Sequence, residues 1–70
     1  MEEKKIKLDK DNYKILLVFA DCNMSVRATA KKVYLSGTAV YTRFRRIKEK
    51  TGLDPLEFWD LVHLLECEVI

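Results

Sequence analysis

The chain has 70 residues, of which 34% are charged and 49% hydrophobic, enough for one small domain with a thin core that gains from a partner. No apolar run approaches the roughly 20 residues that span a bilayer, and there is no repeat or low-complexity tract. The net charge of +2 hides a division: residues 25–50 hold eight Lys or Arg against Glu49 alone, residues 51–70 hold five acids and no base, and residues 1–24 balance at five of each. Such a basic middle is the electrostatic footprint of a phosphate-binding surface, whereas a charge run by itself also fits a solvated helix face. Cys22 and Cys67 form no CxxC pair. Without a signal peptide, two thiols fit the reducing cytoplasm, and no disulfide is expected.

In chain order, Met1 to Lys10 mixes both charges around Ile6 and Leu8. It reads as a frayed arm over residues 1–9, ahead of one domain over residues 10–70. A first helix is predicted from about Lys10 to Asp21, capped by Asp9 or Asp11. Ile15-Leu16-Leu17-Val18-Phe19-Ala20 is apolar around nearly its whole circumference, so part of that surface should meet another chain. Ser25 caps a second helix opening at Val26, with Val26, Ala30 and Val33 on one face. Ala30 is small enough for another helix to cross closely.

A break at Tyr34-Leu35-Ser36 follows, with Leu35 plugging the corner and Ser36 capping a third helix from Gly37 to about Lys50. Val40, Phe44 and Ile47 repeat at i, i+4, i+7 and face inward, which turns Thr38, Tyr41, Thr42, Arg45 and Lys48 outward. Thr51-Gly52 ends that helix, because Gly takes the left-handed conformation common past a helix end. For the last helix, Asp54 is read as the cap, Pro55 as the first helical residue and Glu57 as completing a capping box, with an end near Glu68. Phe58, Leu61, Val62, Leu65 and Val69 make an inward stripe, and Leu56, Trp59 and Ile70 a second apolar patch. The fold class that results is all-α, a small helix-turn-helix bundle of about four helices.

The segment around the break resembles the C-terminal helix-turn-helix of PucR-type bacterial transcription regulators and, more distantly, the Fis-type motif. Thr29-Ala30, Val33, Leu35, Val40, Arg43-Phe44, Arg46-Ile47 and Thr51-Gly52-Leu53-Asp54 carry the resemblance, which extends over about Leu16 to Leu65. It implies a DNA-binding regulator domain. Those regulators commonly show His-x-Asn-Thr where the recognition helix opens, and this chain has Ser36-Gly37-Thr38-Ala39.

On this reading the third helix enters the major groove of duplex DNA, with Thr38, Tyr41, Thr42 and Arg45 against base edges. Tyr41 can equally pack over the helix edge. The N-terminus of the second helix at Ser25-Val26-Arg27 offers N–H groups to a phosphate. Lys31, Arg46 and Lys48 act as backbone clamps, and Ser36 stands at the mouth of the recognition helix. Arg43 matches the arginine of the PucR-like motif but lies beside the inward row, so its head reaches either a phosphate or a carboxylate of the first helix. The first and last helices are expected to join two copies into a homodimer, with no membrane partner.

Other chemistry carries little. His63 and Cys67 at i, i+4 have the spacing of two metal ligands, with Cys22 as a third, but both also read as ordinary helix residues. A Cys-His catalytic pair lacks an orienting third group and a pocket, so no enzyme activity, cofactor or metal is expected. The rival function is a protein-interaction module on a helix-turn-helix fold that has lost DNA binding. It rests on the Ser36-Gly37-Thr38-Ala39 opening and the surplus of apolar surface. Structured RNA rests on charge alone.

Overall fold

In the computed structural model the described residues are 7–69, with side chains described as far as Cys67. Four helices follow one another: α1 (Lys10–Asp21), α2 (Val26–Lys32), α3 (Gly37–Thr51) and α4 (Phe58–Leu65). Two-residue strands, β1 (Lys7–Leu8) and β2 (Glu68–Val69), pair in parallel across the two ends. The expected all-α helix-turn-helix bundle is the observed one. Among the described residues no helix is long and apolar enough to cross a membrane.

Asp9, rather than Asp11, caps α1: its backbone is extended and its carboxylate accepts the Asn12 N–H at 2.8 Å. The helix ends where Asn23 and Met24 both enter the left-handed region, at φ 55° and 61°. There the Met24 N–H turns back to the Phe19 carbonyl at 2.8 Å and satisfies one of the end carbonyls. Ser25 and Ser36 cap α2 and α3 through their hydroxyls, which accept the N–H groups of Ala28 at 3.2 Å and Ala39 at 3.1 Å. Gly52 closes α3 at φ 79° with its N–H on the Lys48 carbonyl at 2.7 Å.

Leu8, Ile15, Leu16, Phe19, Ala30, Val40, Phe44, Ile47, Leu61 and Leu64 form the core. Phe19 and Phe44 meet edge to face at its centre, ring centroids 4.8 Å apart, a geometry that adds about 0.5–1.5 kcal/mol to the area each ring buries. Ala30 is 6% exposed and its carbonyl receives the Leu35 N–H at 3.0 Å, which fixes the corner between α2 and α3. Beside it, fully buried Thr29 donates its hydroxyl to the Ser25 carbonyl at 2.7 Å and so carries no unpaired polar atom into the interior.

Two expectations need correction. The frayed arm expected over residues 1–9 is not what its inner end does: Lys7 and Leu8 pair with Glu68 and Val69, and Leu8 is 2% exposed. Met1 to Ile6 lie outside the described residues. The last helix starts three residues later than predicted and ends at Leu65, not near Glu68. Asp54 accepts the Leu56 N–H at 3.0 Å while the Glu57 N–H bonds the Asp54 carbonyl at 2.9 Å, so residues 54–57 form a turn instead of a first helical turn. Asp60, not Glu57, reaches back, accepting the Asp54 N–H at 3.0 Å. With that phase, Leu61 and Leu64 point inward, whereas Phe58 is 55% exposed beside Trp59 at 77%. Val69 and Ile70 of the predicted stripes lie outside the described side chains.

Candidate nucleic-acid interface

α2 and α3 are positioned by Ala30 at their crossing and by the Val40-Phe44-Ile47 row, all buried. That row fixes what the opposite side of α3 presents. Thr38, Tyr41, Thr42 and Arg45, at i, i+3, i+4 and i+7, fall on one stripe of about 10 Å, at 1.5 Å per residue. Thr38 and Arg45 are exposed, and Tyr41 is half exposed. The Thr42 hydroxyl donates to the Thr38 carbonyl at 2.9 Å, which leaves its oxygen lone pairs outward as acceptors.

Around the stripe stand cations. Arg27 and Lys31 are exposed on α2, Arg46 and Lys48 on α3. Lys31 and Lys32 in the last turn of α2, and Lys48 and Lys50 in that of α3, also sit where the helix dipole favours positive charge. Among the described residues Lys32 pairs with Asp21 at 3.4 Å and Lys48 with Asp54 at 3.7 Å. Ser25 and Ser36 accept the cap bonds at their hydroxyl oxygens, so each keeps its O–H as a donor beside the backbone of the helix start.

Arg43 sits apart from the stripe. Half-buried beside the inward row, its Nη1 donates to the Asn12 Oδ1 of α1 at 3.5 Å. Of the two destinations read from the sequence, the first helix is the one reached, through a carboxamide rather than a carboxylate. Asn12 had no signal, since nothing in local periodicity brings residue 12 to residue 43. Asp54 was legible only as a cap, yet it borders a shallow groove with Tyr41, Phe44, Arg45, Lys48 and Leu56.

The pairing of His63 with Cys67 on one helix face is not formed, because α4 ends at Leu65. The Cys67 thiol instead donates to the His63 carbonyl at 3.4 Å, and burial, then the neighbouring Glu66 carboxylate, push it up from its ordinary value. Among the described residues no three His, Cys, Asp or Glu side chains are grouped to hold a metal ion.

The family model described as the PucR C-terminal helix-turn-helix domain matches residues 13–65, from Tyr13 in α1 to the last residue of α4. No curated protein and no solved structure matches the chain.

Proposed function

Because this chain belongs to the PucR C-terminal helix-turn-helix domain family, we propose that it binds double-stranded DNA as a transcription regulator or nucleoid-type protein, with α3 as the recognition helix. One observation carries the reading. The face of α3 turned away from the core holds hydrogen-bonding and cationic side chains in one stripe, on the segment where the positive charge is concentrated.

In this assignment Thr38, Tyr41, Thr42 and Arg45 meet base edges from the N-terminal half of α3, and Arg45 bonds guanine O6 and N7 with its two-pronged head. Lys31 and Arg46 hold phosphates, joined by the N-terminus of α2 at Ser25-Val26-Arg27. Ser36 sets the start of the recognition helix, and Arg43 braces α3 against α1 through Asn12. Asp60 is the one acid within α4; Asp54 borders the α3 groove instead of the rear, and the remaining division of charge along the chain orients the domain in the phosphate field.

The binding unit is a cytoplasmic homodimer joined through α1 and α4. Supporting this are the exposed apolar side chains on those helices: Leu17 at 45%, Phe58 at 55% and Trp59 at 77%, with Leu56 at 43% just ahead of α4. Both described thiols are free, in keeping with a reducing compartment. The same apolar face is what favours the rival, a protein-interaction module without DNA binding. Titrating the domain against random duplex DNA and structured RNA over a range of salt separates them. The proposal expects duplex binding that weakens steeply with salt and is stronger than RNA binding; no duplex binding at low salt would sink it.

A further inference from the structure

Asp54 borders the groove beside the proposed reading surface from outside α3, and it is held in place. Its Oδ1 accepts the Leu56 N–H at 3.0 Å, its own N–H donates to Asp60 Oδ2 at 3.0 Å, and its carbonyl takes the Glu57 N–H at 2.9 Å. Two of these bonds fix the backbone of Asp54 and one fixes its carboxylate. Its second oxygen, Oδ2, lies 3.7 Å from Lys48 Nζ, and the carboxylate borders the groove that also contains Tyr41 and Arg45. Lys48 is the mobile partner, with 59% of its side chain exposed against 26% for Asp54.

Resting on the DNA reading above, we propose that Asp54 is a specificity-determining residue that suppresses binding to non-cognate duplex by neutralising Lys48 at the edge of the recognition helix. The physical case is one of sign and fixity. A phosphate that approaches Lys48 must displace a fixed negative charge, and that charge also repels any backbone placed close to the groove. Non-specific affinity is almost wholly electrostatic and grows with each cation available to release counterions. Removing one cation from that pool weakens binding to random duplex most, because only a cognate complex places a phosphate where it reclaims Lys48. Base contacts through Arg45 are untouched, so the ratio between the best site and random DNA rises. Exposed ion pairs are weak, which lets a well-placed phosphate in a cognate complex still win Lys48 away.

Asp54→Asn tests this without dismantling the turn, because an amide oxygen still accepts the Leu56 N–H. Binding to random duplex should tighten by about 2- to 5-fold at low ionic strength, and the slope of log K against log salt should steepen by up to about 0.9, one phosphate's worth. Selectivity for the best site should fall, and adding Lys48→Gln to Asp54→Asn should abolish the gain. Helical content and melting temperature serve as the folding control. If the unmodified protein binds duplex and Asp54→Asn has the same affinity and slope, this inference is wrong while the DNA reading stands. If the unmodified protein binds no duplex, both fall together.

Discussion

Arg45 and Lys31 are both exposed cations on the α2–α3 pair, and under the proposed DNA binding they would do different work. Arg45 lies on the stripe opposite the buried row of α3, so Arg45→Ala should cost roughly 1–3 kcal/mol at the best site and relax base preference there. Lys31, in the last turn of α2, should behave as a clamp: Lys31→Ala lowers affinity evenly across sequences and flattens the salt dependence by about one phosphate's worth. A selection assay on both variants reads the contrast, and indistinguishable profiles would refute the division. Tyr34 poses a stability question instead. It sits at φ 58° in the turn and is 93% exposed, so it bears left-handed strain of about 1–2 kcal/mol with little packing in return. Tyr34→Gly relieves that strain but adds about 0.4–1 kcal/mol of unfolded-chain entropy. Relief wins narrowly, and thermal melting should show a small gain, under about 1 kcal/mol.

Between elements, the crossing of α2 and α3 is the tightest demand. Ala30→Leu adds three carbons where 6% of the residue is exposed, and overpacking of that kind costs about 1–3 kcal/mol. In a domain this small that is a large share of the total, so a clear drop in melting temperature is expected; an unchanged one would remove Ala30 from the crossing. Boundaries of α1, α2 and α3 were legible because each rests on a local device: Asp9, Ser25 and Ser36 bond N–H groups three residues on, and Gly52 alone among nearby residues suits φ 79°. The start of α4 was not. Asp54-Pro55-Leu56-Glu57 has the residue types of a capping box and of a turn alike, and Asp60, six residues away, decides between them. Phe58 was assigned inward and Leu64 overlooked because α4 is apolar on more than one face, so its period alone does not choose the side that meets the core. In the candidate site, the outward stripe of α3 followed from period alone. The Lys48–Asp54 and Arg43–Asn12 contacts did not, since each joins separate elements.

At the scale of the whole molecule, the exposed Phe58–Trp59 pair, ring centroids 4.9 Å apart, is a large apolar surface for so small a domain. The proposed two-fold dimer through α1 and α4 would cover it and turn both α3 helices the same way, as half-sites about 34 Å apart require. Trp59→Glu should therefore give monomers in sedimentation at tens of micromolar. It should also cost far more DNA affinity than a single contact, because both halves bind at once. If the unmodified chain sediments as a monomer of 8.2 kDa and still binds DNA tightly, the dimer is refuted. Pairing Lys7 with Glu68 meanwhile closes a loop of about 60 residues, and such a contact returns nothing until the entropy of closure has been met. The α1–α2–α3 contacts are local by comparison, so the strand pair is expected to form last and open first, which faster hydrogen exchange at Leu8 than in α3 would check. Each such opening would lift Leu8 from the core while α2 and α3 stay paired, so the joined strands and not the proposed reading surface would be the place where the fold loosens.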